Sequence, residues 1–242
     1  MKRVSILAML AFAGIASAIV VPNASEFVEG DGVFALSSTT AAGRTFQLTI
    51  AASQLTGATN LLITGMNFRM NGAATTAWPT ANVTYADWDV FIGPGVAPGS
   101  MSNTFASNFT GGPTQVRDGG WAVNAGAFTV GGSPNAFGPA LGFDTGYHYT
   151  GGDLTIEMRY SPHAGVTTAP SFDAIAASGG PGNGWGVDFA ARWTANAAGT
   201  TGANGNFLVT QLNTAPVPEP GTFVALGLGA ALLLARRRRK AN

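Results

Sequence analysis

The side chains with chemical potential are few. Asp87 with Asp89, and Asp153 with Glu157, stand at even spacings in runs of alternating polarity, so each pair projects from one face of a strand. Two carboxylates flanking a sugar bond are what a glycosidase requires. On an outward strand face the same spacing also describes ordinary solvated acids, and that is the reading adopted here. His148 lies between Tyr147 and Tyr149, and His163 follows Pro162. No Ser or Asp spacing marks either as a general base, so both read as surface or edge-strand residues. The chain has no cysteine, which removes thiolate nucleophiles, disulfides and cysteine-ligated metals. No GxSxG elbow, HExxH helix, phosphate-binding Walker loop or strand-linked GxGxxG occurs. The expectation is a protein that is not an enzyme and needs no organic cofactor.

Calcium is the one metal that the loops suit, since it takes carboxylate and carbonyl oxygens. Asp118-Gly119-Gly120, Gly151-Gly152-Asp153 and Asp31-Gly32 each place an acid in a glycine loop, with Asp118 and Asp153 as the candidate ligands. None of them matches an EF-hand loop. Five tryptophans offer a different chemistry, because sugar rings stack on exposed indoles. Trp88 and Trp193 fall inside strand patterns and read as core. Trp121 follows a Gly pair and Trp185 stands between glycines; these two are the candidate glycan-stacking residues, with loop packing as the alternative. The sequons at Asn23, Asn82 and Asn108 read as chance in a chain so rich in Asn and Thr.

These residues must be positioned by strands. In residues 44–50, Phe46, Leu48 and Ile50 alternate with Thr45, Gln47 and Thr49; in residues 153–160, Leu154, Ile156, Met158 and Tyr160 oppose Asp153, Thr155, Glu157 and Arg159. Residues 66–70, 83–92, 185–193 and 206–212 carry similar patterns, and glycine- and proline-rich turns separate them. No long helical periodicity appears between residues 19 and 216. The predicted body, residues 19–212, is an all-β, antiparallel β-sandwich of jelly-roll type, with residues 213–221 as a linker. The absence of a fixed repeat argues against a β-helix.

The ends carry addresses. The full chain has 242 residues and balances 12 basic against 12 acidic side chains. The basic ones are concentrated at the termini: residues 19–215 hold five arginines, no lysine and eleven acids, a net charge of −6. Such a body repels nucleic acid and anionic lipid. Residues 1–18 read as a signal peptide: Lys2 and Arg3, an apolar run over 4–15, then Ala16-Ser17-Ala18 as the site for signal peptidase. Cleavage there starts the mature chain at Ile19.

At the other end, Pro218-Glu219-Pro220 precedes an apolar run over 223–235 and then Arg236, Arg237, Arg238, Arg239 and Lys240. As a helix the run covers about 20 Å, and it approaches spanning length when counted from Val217 with the arginines snorkelling. Residues 222–242 are therefore expected to form a transmembrane helix and basic tail. The cluster stays cytoplasmic by the positive-inside rule, so both ends place the body outside the membrane. An ordinary single-pass anchor has the same topology. A helix docked on the body fits poorly with apolar residues on every face.

Pro-Glu-Pro, a short apolar helix and a terminal arginine cluster together resemble the PEP-CTERM sorting tail of exported bacterial proteins. The resemblance implies recognition by exosortase, a membrane processing enzyme, cleavage near Pro-Glu-Pro, and delivery to the cell surface or to extracellular polysaccharide. Residues 137–161 and 87–95 also resemble patterns in the β-rich bodies of proteins with such tails. The function expected is that of an exported surface or matrix protein. A carbohydrate-binding module is the alternative, and a glycoside hydrolase or lyase a further one.

Overall fold

The computed structural model describes residues 17–35, 42–165 and 169–217. The strands in chain order begin with β1 (Ser17–Val21), β2 (Gly32–Phe34), β3 (Arg44–Ile50), β4 (Leu61–Phe68) and β5 (Val83–Tyr85). They continue with β6 (Trp88–Pro94), β7 (Thr114–Arg117), β8 (Trp121–Val123), β9 (Leu141–Tyr149), β10 (Leu154–Tyr160) and β11 (His163–Ala164). The last five are β12 (Phe172–Ile175), β13 (Phe189–Thr194), β14 (Ala203–Asn204), β15 (Phe207–Leu208) and β16 (Thr210–Pro216). Every pairing between these strands is antiparallel, so the protein is all-β as its sequence pattern predicts.

Two sheets carry most of the pairing. One has four strands in the order β1-β16-β4-β9, the other six in the order β14-β13-β3-β10-β6-β7. Two three-stranded sheets, β11-β5-β8 and β15-β12-β2, complete the body. Alternation puts Phe46, Leu48 and Ile50 of β3 beside Ile156, Met158 and Tyr160 of β10 and Val90 and Ile92 of β6, all buried. The same core continues into Ile63, Met66 and Phe68 of β4, Leu141 of β9 and Leu212 of β16. The final strand runs to Pro216, so residues 213–216, read from sequence as the start of the linker, are paired with Leu61, Leu62, Ile63 and Gly65 of β4.

The opposite face of the six-stranded sheet departs from the simple alternation rule. Alternation sets Thr45, Gln47, Thr49, Thr155 and Glu157 on the face away from the core, where Glu157 reads as a solvated acid, yet all five are buried. The segment 95–110, anchored by the buried side chains of Met101 and Phe105, covers Gln47, Thr155 and Glu157, while Thr45 Oγ1 donates to the Asn196 and Ala197 carbonyls. Hydrogen bonds compensate for the lost water. Gln47 Nε2 donates to Glu157 Oε2 (3.0 Å) and to the Phe105 carbonyl (3.1 Å), while Asn108 Nδ2 donates to Gln47 Oε1 (2.6 Å). Thr155 Oγ1 donates to the Asn108 carbonyl (2.8 Å), and Arg192 donates to the Met101 carbonyl (2.7 Å). Glu157 is thus a structural acid, also paired with Arg159 at 2.6 Å, and Asn108 is sequestered from any modifying enzyme.

A fully buried ion pair joins the end of β4 to the β15-β12-β2 sheet. Arg69, just beyond β4, and Asp173 of β12 meet at 2.7 Å with side-chain exposures of 1% and 0%. Arg69 also donates to the carbonyls of Ser25 and Val28, both at 2.8 Å. Asp173 Oδ1 accepts from the Gly30 amide at 2.9 Å. Gly30 must lack a side chain, since a Cβ there would overlap the Ala174 carbonyl. Removing one partner of such a pair leaves an uncompensated buried charge. Arg69→Ala is therefore expected to cost about 3–5 kcal/mol in urea unfolding. Arg69→Met with Asp173→Leu should recover only part of that, because the loop carbonyls still lose their donor.

Candidate functional site

The acids of the sequence pattern separate into two kinds. Trp88 points into the core, where its ring stacks on Tyr160 (4.3 Å, 12°); its neighbours Asp87 and Asp89 therefore point outward. β7 pairs with β6 through a bulge between Val90 and Phe91, and the Trp88 amide donates to the Gly119 carbonyl at 2.9 Å. That bond holds the turn after β7 against the start of β6. It brings Asp118 to Asp87 and Asp89, so that one carboxylate oxygen from each lies within 4.8 Å of the others. Asp144 of β9 stands beside them, its Oδ2 accepting the Asp118 amide at 2.8 Å.

Little positive charge answers this trio. Arg159 is opposite Asp89 in the β10–β6 register but gives its guanidinium to Glu157. Arg117 donates to the Gly142 and Gly120 carbonyls. Gln115 Nε2 donates to Asp89 Oδ1 at 3.2 Å, and the Gly119 backbone also hydrogen-bonds the Asp89 carboxyl. Partial burial, with the charges of Asp87 and Asp118 adding to it, holds the Asp89 carboxyl above the usual aspartate range. Three close oxygens of one charge can be relieved by a proton or by a hard divalent cation. Asp87 and Asp118 remain exposed.

The other candidates are placed differently. Asp153 Oδ1 accepts the Ala52 amide at 2.8 Å and fixes the loop after β3; no other described acid joins it in a cation-binding cluster. Asp31 accepts the Ala176 amide (2.7 Å) and Asn183 (3.0 Å), so its glycine loop is likewise structural. Of the two calcium candidates, only Asp118 lies among other acids. His148 is exposed in β9 opposite Leu62. His163 is wedged edge-on between Trp78 (6.1 Å) and Tyr85 (5.4 Å), and burial lowers its pKa, keeping the ring neutral.

The tryptophan expectation requires correction. Trp121 is buried, 8% exposed, because the period of β8 turns it inward with Val123. It stacks on Tyr85 (5.9 Å, 21°) and meets Trp88 edge-on at 4.8 Å. Trp185 is half-buried against the core, its Nε1 donating to the Gly205 carbonyl at 3.1 Å and its ring facing Arg192. Flanking glycines shape the turns beside these rings without presenting them to solvent. Trp121 therefore offers no free stacking face, and Trp185 is only partly open. Sequence reasoning also passed over Asp144 and the Gln47–Asn108–Glu157 network, none of which has a local signal.

Pro218, Glu219, Pro220 and the cluster Arg236–Lys240 lie outside the described residues, as do residues 1–16. No helix among the described residues is long and apolar enough to cross a membrane. Residues 216–240 match the PEP-CTERM protein-sorting motif, as the tail pattern predicts. The tail marks an exported protein, transiently anchored in the membrane and addressed to exosortase, a membrane processing enzyme. No curated protein and no solved structure matches the chain.

Two measurements check this assignment of side chains. A carboxyl held above its unfolded pKa contributes stability at acid pH and loses it as pH rises through the folded value. Ionised Asp89 is therefore a net cost at pH 7. Asp89→Asn should raise the melting temperature there by up to about 4 °C, the scale of a surface charge interaction in a domain of this size, with the gain vanishing below the aspartate range. A calcium-dependent rise in the wild type that this variant loses would assign a cation to the trio. Trp121→Ala, in contrast, should cost about 3–5 kcal/mol of stability in a melting curve, the price of emptying a core aromatic site.

Proposed function

We propose that the chain is a non-enzymatic protein of the cell surface or extracellular matrix, with a β-sandwich body of jelly-roll type that its tail delivers there. The observation that carries this reading is the junction of body and tail. The last strand of the fold ends at Pro216, the residue at which the sorting motif begins. The folded body is thereby joined to its membrane address with almost no intervening chain. Two enzymes act on the chain in this account: signal peptidase after Ala18 and exosortase near Pro218-Glu219-Pro220. The net charge of −6 over residues 19–215 supports a body that stays off anionic lipid once released. The lack of catalytic motifs and the structural use of Glu157 and Asp153 support a body without hydrolase chemistry.

A glycan-binding role in the matrix polysaccharide is the second reading. It is favoured by an open recess of about 350 Å³ beside β13 and β14, lined by Trp193, Thr194, Thr201 and Gly202. There a half-buried indole meets hydroxyl side chains, the combination that pyranose rings use. Arg44 lies over the Trp193 ring at 4.6 Å. Trp193→Ala should then weaken retention on the host's extracellular polysaccharide while leaving a folded protein. If wild type is not retained on that material, the body has a structural role only.

The sorting account has its own test. Mass spectrometry of wild-type protein recovered from the cell surface should find no peptide from residue 223 onward. Replacing Arg236 to Arg239 with Ser should leave unprocessed chain in the membrane fraction, because orientation depends on that charge. An intact arginine cluster on released wild-type protein would refute processing.

A further inference from the structure

β1 stands at the edge of the four-stranded sheet and has one partner strand, β16. The register runs from Ser17 opposite Thr214 to Val21 opposite Thr210. The Ser17 and Thr214 hydroxyls are 2.8 Å apart across a sequence separation of 197 residues, and Thr214 Oγ1 also lies 3.1 Å from the Ser17 carbonyl. The Ala18–Ile19 peptide bond is therefore inside a paired strand. Ser17 and Ala18 precede it opposite Thr214 and Asn213; Ile19, Val20 and Val21 follow it opposite Leu212, Gln211 and Thr210. The residues after the bond are also packed: Ile19 against the core, with Val20 and Val21 buried.

A peptidase needs several residues of backbone extended and free of other partners, so paired structure must open before it is cut. Opening this site means withdrawing Ile19 and Val20 from the core as well as breaking the end pairs. The partner strand is the last of the fold and leads directly into the sorting motif. Until residues 210–216 have crossed the membrane, β1 lacks the strand it pairs with in the folded body.

We propose that the β1–β16 pairing orders the maturation of the chain. Signal peptidase cuts at Ala18–Ile19 while β16 is still missing from the sheet, and the arrival of β16 closes the bond to it. The inference rests on the reading of residues 1–18 as a cleaved leader. After cleavage, Ile19–Val21 remain zipped to Thr210–Leu212, while Asn213 and Thr214 lose their β1 partners and stay held by β4.

The test uses the full-length precursor in detergent with a purified bacterial signal peptidase. Precursor diluted from urea straight into enzyme should be cut between Ala18 and Ile19. Precursor allowed to refold first should be cut at least about tenfold more slowly, as expected when cleavage must wait for local opening. Thr214→Pro, which weakens the pairing of β16 with both β1 and β4, should restore fast cleavage of refolded chain, with a melting temperature that falls but stays above the assay temperature. Asn213→Pro breaks the same pairing and serves if the Thr214 variant does not refold. Equal rates before and after refolding of wild type, or no rescue by a refolded proline variant, would overturn the proposal. Failure to cut the urea-diluted chain at that bond would instead overturn the leader reading beneath it.

Discussion

Arg69 and Asp173 bring a full charge pair to a place that water does not reach, and the surrounding chain is arranged to make that tolerable. Taking both groups out of water costs several kcal/mol for each. The return comes from directed bonds: the guanidinium reaches Asp173 and the carbonyls of Ser25 and Val28, while the carboxylate also takes the Gly30 amide. One residue after β4, one in β12 and the loop before β2 are thereby held in a single arrangement. Apart from one 3-10 turn at Asn23–Ser25 the loop has no regular structure to satisfy its carbonyls, so the arginine substitutes for a strand partner. Phe27 and Val28 stand exposed on that loop, so the buried polar bonds, not a hydrophobic anchor, determine its path.

A second polar layer acts in the same way on the six-stranded sheet. Gln47, Asn108, Thr155 and Glu157 bind the segment 95–110 to the face that an isolated sheet would give to solvent. Both faces of the central strands are then covered, one by the hydrocarbon core and one by a hydrogen-bonded strap. This arrangement uses the acids that a catalytic reading would want. Glu157 already accepts from Gln47 and Arg159, and what remains at the surface is the Asp87–Asp89–Asp118 trio, assembled by the bulge of β7 and the turn after it.

The topology links these layers to export. The first and last strands of the body lie side by side, so the two ends of the body lie together at one end of that sheet. A body with this connectivity closes only when β16 is present, because no other described strand pairs with β1. The closing contact is also among the longest in sequence, and it is made last in a chain that is exported from its N-terminus.

The sorting tail and the strand class were legible because their signals are local. An apolar run flanked by charge, or a side-chain alternation such as that of residues 44–50, depends on a few consecutive residues. The inner faces of β3, β6 and β10 follow from that period alone. The burial of Thr155 and Glu157, the inward turn of Trp121, the half-buried setting of Trp185 and the pairing of Arg69 with Asp173 do not. Each depends on a segment distant in sequence: residues 95–110 over Glu157, Tyr85 and Trp88 around Trp121, the Gly205 carbonyl at Trp185, and β12 across from Arg69. Glycines beside Trp121 and Trp185 specify backbone freedom and say nothing about what packs on the ring. Local patterning determined which side chains share a strand face; only tertiary packing decided which of those faces meet water, because that depends on which distant segment arrives to cover them.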